Sequence, residues 1–365
     1  MKNTFGSALT VTLFGESHGD SIGAVIDGLA PGIKIDEEYI KAKLDMRRSV
    51  GSISTKRRES DEVSFLSGVF NGYTTGTPVC IAIKNENTKS SDYSEFKTCP
   101  RPGHADYTAE VKYRGYQDYR GGGHFSGRIT AALVAAGAIV ARALEDKGIY
   151  IGTHISSLSG IPDRGFSDLA TDVKVLGQKT FPVLDECAAE KMMAKIEAAR
   201  DSLDSVGGVL ESAVVGVPAG VGEPWFDTVE GVLSHALFSI PAVKGVEFGD
   251  GFGFAELTGS QANDPFTIED GKIVTSTNRN GGINGGITNG MPIIFRTAIK
   301  PTPSIYKTQS TVNISKMENT ELQIKGRHDP AIIHRARAVV DAVAAIAIAD
   351  LLTVKYGTDY LFNKD

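Results

Sequence analysis

Three phrases of this 365-residue chain recur in the same order. Asp20-Ser-Ile-Gly-Ala-Val-Ile26 is echoed by Asp204-Ser-Val-Gly-Gly-Val-Leu210 at an offset of 184. Gly72-Tyr-Thr-Thr-Gly-Thr-Pro-Val79 is echoed by Gly286-Ile-Thr-Asn-Gly-Met-Pro-Ile293 at an offset of 214. Two Ala-rich runs of equal length, Arg128 to Gly148 and Arg337 to Gly357, follow at an offset of 209. Two explanations stand: an internal duplication, or the general likeness of Gly/Pro turns and Ala-rich helices. No low-complexity linker separates the halves, so the expectation is one compact unit of two interlocked pseudo-repeats, about 1–150 and 151–365. A shared ligand site at their junction would be natural.

Local patterns fill in the elements. Apolar residues alternate with threonine from Leu9 to Leu13, the period of a half-buried strand, which delivers the loop Gly15-Glu-Ser-His-Gly19. Asp36 can cap a helix through Leu44, with Ile35 and Ile40 placed as a hydrophobic staple. Further helices are expected over Arg128–Lys147, within Asp185–Arg200, over Asp227–Ser239, and over Arg335–Lys355. The two apolar ones carry Arg142 in one and Arg337, Asp341 and Asp350 in the other, so both read as buried helices rather than membrane spans. Strands outnumber connecting helices and the turns are tight. That pattern is α+β, with helices packed on mostly antiparallel sheets.

The totals exclude several functions. A net charge of −6 argues against a nucleic-acid binder, which needs a basic face to displace counterions from phosphates. Cys80, Cys99 and Cys187 are odd in number and lack metal-ligand spacing, which fits a reducing cytoplasm. The N-terminus lacks the apolar core of a signal peptide. Glycine is abundant, at 41 residues, and aperiodic, implying many close backbone approaches.

His18 and His104 each lie in a short loop beside glycine, Gly-Glu-Ser-His-Gly and Arg-Pro-Gly-His-Ala-Asp. An imidazole there can exchange a proton near neutral pH, although a loop histidine can equally be a hydrogen-bonded surface group. Arginines gather nearby: Arg47, Arg48, Arg57 and Arg58, then Arg101, Arg114, Arg120 and Arg128, and later Arg327, Arg335 and Arg337. Guanidinium forks grip carboxylate and phosphate, so several around one site suit a ligand with more than one anionic group. Surface pairing with Glu59, Asp61 and Glu62 is the alternative. Tyr119-Arg-Gly-Gly-Gly-His-Phe-Ser-Gly-Arg128 leads into an apolar helix, a setting for an anion at a helix N-terminus, but it lacks the Gly-Lys-Ser/Thr of a Walker A loop. Gly15-Glu-Ser-His-Gly19 also fits the nucleophile elbow of a serine hydrolase through Ser17, except that strand-like rather than helical sequence follows it.

Taken together, Gly15-Glu-Ser-His-Gly19, Arg101-Pro-Gly-His-Ala-Asp106, Asp118-Tyr-Arg-Gly-Gly-Gly123, Ser126-Gly-Arg128 and Lys325-Gly-Arg-His-Asp-Pro330 resemble the chorismate synthase family. The likeness spans nearly the whole chain. It implies a lyase that converts 5-enolpyruvylshikimate 3-phosphate to chorismate and phosphate, using reduced FMN without net oxidation. It implies a β-α-β sandwich of two similar halves with helices between the sheets, assembled as a homotetramer in the cytoplasm. Carried across by motif, His18 would protonate the departing phosphate, His104 would hold or protonate the flavin, and Asp329 would assist proton removal. FMN contacts would come from His124, Phe125, Ser126, Pro241, Ala242, Gly285, Lys300, Pro301, Thr302, Pro303, Ser304 and Arg327. Substrate or NADP contacts would come from Arg47, Arg48, Arg101, Arg120 and Arg128. No metal, nucleic acid or membrane is implied, and a catalytically inactive flavin- or anion-binding module is the remaining alternative. The chain departs from the family pattern at His124-Phe-Ser-Gly-Arg-Ile-Thr130, where Arg-Ser-Ser-Ala-Arg-Glu-Thr is usual, and its basic loop after Met46 is one residue short.

Overall fold

The computed structural model describes residues 2–48, 53–54, 60–86, 96–324 and 328–362. Period-two alternation builds two antiparallel five-stranded sheets. The first comprises β1 (Thr4–Phe5), β2 (Thr10–Gly15), β3 (Ser21–Asp27), β4 (Val63–Ser67) and β5 (Val79–Lys84), in the order β1-β2-β3-β5-β4. The second comprises β6 (Tyr150–Leu158), β7 (Ile161–Pro162), β8 (Gly208–Val215), β9 (Val243–Phe248) and β10 (Ile293–Ile299), in the order β9-β10-β8-β6-β7. The main helices are α1 (Glu37–Asp45), α2 (Asp106–Tyr113), α3 (Thr130–Glu145), α4 (Leu169–Leu176), α5 (Glu186–Asp201), α6 (Val229–Leu237) and α7 (Ile333–Tyr356).

The architecture is a β-α-β sandwich. α3 packs on the first sheet, α7 on the second, and the two helices pack on each other. They can approach closely because Gly137 faces Ala342: a Cβ at 137 would lie 2.4 Å from the Ala342 Cβ. β3 and β5 present Ile22, Ile26, Ile81 and Ile83 to this layer, β8 and β10 present Leu210 and Phe295, and all six are fully buried. In chain order, β2, β3, α1, β4, β5 and α3 form the sheet order β2-β3-β5-β4. The corresponding run β6, β8, α6, β9, β10 and α7 forms β6-β8-β10-β9.

Gly127–Glu145 has the length and apolarity of a membrane span, but 83% of it is buried inside the protein. Asp350 in α7 accepts backbone N–H bonds from Ser7, Ala8 and Leu9, tying the start of the chain to its last helix. Helix caps divide by location. Asp36, Asp168, Asp185 and Thr228 cap α1, α4, α5 and α6 with a side-chain oxygen. α2 and α7 begin without a capping side chain, and α3 continues from a turn at Gly127–Ile129 whose Arg128 N–H is accepted by Ser126 Oγ. The expected α6 starts two residues later than its sequence pattern, at Val229, because Thr228 rather than Asp227 is the cap.

Candidate active site

Three consecutive glycines form the floor. Gly121, Gly122 and Gly123 have φ of 60°, 82° and 54°, a run of left-handed backbone that residues with a Cβ resist. Gly123 also passes so close to the Asp118 carbonyl that a Cβ there would lie 1.9 Å from its oxygen. Its own carbonyl accepts from the Ser17 N–H at 3.1 Å, docking the loop that carries His18. Asn85 holds the same loop from behind, donating to the Glu16 and Gly19 carbonyls at 3.0 and 2.8 Å. The His18 ring consequently lies against Gly121, where a Cβ would come within 2.0 Å of its Nδ1. The next glycine, Gly122, faces His104, with a Cβ position 3.5 Å from Cε1 and 3.7 Å from Nε2.

His104 is held in turn. Its Nδ1 lies 2.7 Å from Asp106 Oδ1 and 3.0 Å from an Arg101 nitrogen. The Asp106 contact is the shorter of the two, and a carboxylate oxygen set against a bare Nδ1 lone pair would be repelled, so Nδ1–H donates to Asp106. Arg101 grips both oxygens of Asp106, from NH2 and Nε, each at 2.8 Å. Burial alone would raise the Asp106 pKa, but hydrogen bonds from Arg101 and His104 outweigh it and hold the carboxyl well below the usual carboxylate range.

From this point the contacts run around a closed rim. Arg101 NH1 meets Ser304 Oγ at 3.4 Å, and Lys300 Nζ donates to the Gly103 carbonyl at 2.5 Å. Lys300 N–H donates to the carbonyl of Ala242, a residue with φ of 77°. Thr302 Oγ1 donates to the Asp329 carbonyl, and the Asp329 carboxylate pairs with Arg335 at 2.5 Å. Arg335 Nε donates to the Arg47 carbonyl at 2.7 Å. Arg47 reaches Thr130, Asp61 and the Gly127 carbonyl, and Asp61 also pairs with Arg128. Ser126, beside Gly127, returns the circuit to Gly122. Five cations, Arg47, Arg101, Arg128, Arg335 and Lys300, share this rim with three carboxylates, Asp61, Asp106 and Asp329. Next to it opens a shallow cleft walled by Phe96, His104, Tyr119, Gly122, Phe125 and Ile314.

The structure thus brings together His18, His104, Asp329, Ser126, Ala242, Lys300, Thr302, Ser304, Arg47, Arg101 and Arg128. Pro241, Pro301 and Pro303 belong to the same segments. Other expected residues stand elsewhere or face otherwise. His124 turns its Nδ1 to the Gly15 carbonyl at 2.8 Å. Arg48 pairs with Asp45 and the Ser60 carbonyl, and Arg120 is bound to Asp118 with its side chain 44% exposed. Gly285 sits in a hairpin turn joined through Thr288 to Val221, beyond the opposite end of β8 from Lys300. At ~3.3 Å per residue, β8 alone separates them by roughly 23 Å. Arg327, Arg57 and Arg58 lie outside the described residues. Asp329 does not cap the following helix, whose cap position is Ile332. All three guanidinium nitrogens of Arg47 and of Arg128 have protein partners, so these side chains are built into the wall. Ser17 is buried and β3 follows it directly, which disfavours the nucleophile elbow. The sequence reading missed Asp106, Asp61 as a buried hub, and Arg335 as a rim residue. Only Asp106 carried a local signal, two positions after a loop histidine.

A three-layer sandwich whose halves meet at two imidazoles and a surplus of cations defines an enzyme for a small anionic metabolite. The Chorismate synthase family profile matches residues 9–353. A chorismate synthase from Thermococcus gammatolerans is 49% identical over 347 residues, covering 95% of this chain and 96% of that one. One from Dehalococcoides mccartyi is 47% identical over 354 residues, covering 96% of each. A crystal structure of chorismate synthase superposes with a TM-score of 0.74 at 27% identity, covering 97% of this chain and 94% of its own. The chain belongs to the chorismate synthase family.

Proposed function

We propose that this protein eliminates phosphate from 5-enolpyruvylshikimate 3-phosphate to give chorismate, with reduced FMN required and no net oxidation. The observation that carries the reading is the rim, where two imidazoles rest on adjacent glycines among five cations and three carboxylates. The substrate bears two carboxylates and a phosphate, and the surplus positive charge of the rim is opposite in sign to them. His18 is 7% exposed, so a proton it delivers to the departing phosphate is delivered away from bulk water. Asp329, beside Thr302 and paired with Arg335, is the group proposed to take up the substrate proton.

The residues present fit a flavin. Phe96, Tyr119 and Phe125 give a flat ring apolar walls, and Gly122, with φ of 82°, carries the backbone past His104. Lys300, Thr302 and Ser304 offer an ammonium and two hydroxyls to its phosphate, with Ala242, the neighbouring prolines 241, 301 and 303, Ser126 and Arg327 completing the proposed contacts. Reduced FMN, when bound, supplies the electron-rich ring system on which the elimination depends. His104 would hold it through Nε2. We assign substrate contact to exposed Arg120, whereas Arg47, Arg101 and Arg128, whose guanidinium nitrogens are all bonded within the protein, act through their field. Any NADP contact falls to Arg48 and the basic loop, and Gly285 would contact flavin only from a neighbouring subunit. A cytoplasmic homotetramer is part of the proposal, supported by exposed apolar groups such as Phe266, Ile268 and Ile273 on one hairpin. Anaerobic assay with reduced FMN should release phosphate and chorismate; equal release without flavin, or none with it, refutes the proposal.

A further inference from the structure

Asp106 is assigned no role by anything in the family motif as read above, yet it is the most heavily bonded carboxylate at the site. It is the first residue of α2, and its side chain is turned back onto the loop that precedes it. Oδ1 accepts from His104 Nδ1 at 2.7 Å and Arg101 NH2 at 2.8 Å. Oδ2 accepts from Arg101 Nε at 2.8 Å and from the Arg101 backbone N–H at 3.0 Å. Both oxygens are saturated by donors, and three of the four donors belong to Arg101, so the carboxylate has one available orientation. Arg101 is itself fixed from its far face by the Phe96 ring, 4.5 Å away.

The consequence falls on the imidazole. With Nδ1 committed as a donor, the neutral ring carries its hydrogen there and leaves the Nε2 lone pair as its only exchangeable position. Nε2 is the edge turned toward Gly122 and the cleft. We propose that Asp106 is the positioning residue of His104, fixing its tautomer and aiming Nε2 at the ligand, with Arg101 as the clamp that keeps Asp106 in place. This rests on the proton-transfer role given to His104 above. It is the arrangement by which a buried carboxylate orients a catalytic imidazole without itself changing protonation.

The test is a double-mutant cycle with a spectroscopic control. An amide at position 106 must turn its NH2 toward an Arg101 donor whichever way it is flipped, so Asp106→Asn should lower kcat by about 10²-fold while the substrate KM changes little. In a His104→Ala background the same change should cost less than about 3-fold, because the residue it acts through is gone. An equal loss in both backgrounds would mean a structural role and overturn the proposal. The control needs no folded variant at position 106. In 15N-histidine spectra of the wild-type enzyme, with His104 identified by its absence in His104→Gln, the neutral ring should show Nδ1 protonated and Nε2 bare. The opposite tautomer overturns the proposal outright. If His104→Ala alone turns over at the wild-type rate, the reading of His104 fails instead, a result the tautomer measurement keeps separate.

Discussion

Gly121→Ala is the sharpest probe of how the site is built. A Cβ at this position would sit 2.0 Å from His18 Nδ1, 2.1 Å from Cε1 and 2.9 Å from Ser17 Oγ. Ordinary contact begins near ~3.5 Å, so the imidazole must retreat by about 1.5 Å or the turn must open by the same amount. The backbone itself adds about 1–2 kcal/mol, because φ of 60° is left-handed. Against a stability of about 5–15 kcal/mol the protein should still fold, with the melting temperature lowered by roughly 2–8 °C. Catalysis is far less tolerant, since a misplacement of about 1 Å can cost about 10²-fold. The expected result is a folded protein with native-like FMN binding and phosphate release slowed by about 10² or more under anaerobic single-turnover conditions. In a His18→Ala background the substitution should add little. A variant that folds and keeps kcat within about 3-fold of wild type would show that His18 is not held by this glycine, or does not matter where it is.

His18→Ala and His104→Ala should each slow the elimination by about 10²–10⁴ with little change in thermal melting, and unimpaired turnover in either would remove that residue from the mechanism. Gly137→Val drives a branched side chain into Ala342 at the α3–α7 crossing and should destabilise by roughly 2–4 kcal/mol, read as a lower urea midpoint. Asp350→Ala strands the Ser7, Ala8 and Leu9 N–H groups and should cost about 2–3 kcal/mol, with faster hydrogen exchange at the start of the chain. His154 lies fully buried between Asp163 at 2.8 Å and Glu211 at 3.0 Å; burial lowers its pKa, but the two carboxylates outweigh burial and the net shift is upward. A raised histidine stabilises fully below its unfolded pKa of about 6.5 and loses that contribution as pH climbs toward the folded value. Urea unfolding should therefore show stability declining above about pH 6.5, and His154→Gln should flatten that slope.

The elements that could be read from sequence are those whose signals are local. Asp36 announces α1 and does accept from Tyr39 N–H, and Asp185 does the same for α5 with Cys187 N–H. α2 and α4 escaped because eight residues give too little periodicity, and because α2 opens with no capping side chain. At the site, the histidines and the glycine run were legible because such loops are costly without a reason. Arg47 and Arg128 were also singled out, but their sharing of Asp61 was not, since the partners sit 14 and 67 residues from it in sequence. Long-range pairing of charges leaves no periodic trace. Arg335 hides for the same reason: it reads as the first turn of an Ala-rich helix, and only the fold turns it toward Asp329 and Arg47.

The missing caps explain more than a failed helix assignment. The four helices with a capping oxygen, α1, α4, α5 and α6, begin away from the rim. α2 and α7 have none and begin on it, α2 at Asp106 and α7 two residues before Arg335, whereas α3 continues a turn from Gly127 that Ser126 caps. A side-chain oxygen at these two starts would stabilise each helix by about 1 kcal/mol, so the chain forgoes that stability in two places. The positive ends of α2 and α7 add to the surplus of guanidinium and ammonium charge on the rim. α2 comes from the first half of the chain and α7 from the second, so neither sheet with its own helices assembles this field. It exists only where α3 and α7 are packed together, which makes the close crossing at Gly137 and Ala342 a condition for the site as well as for the fold.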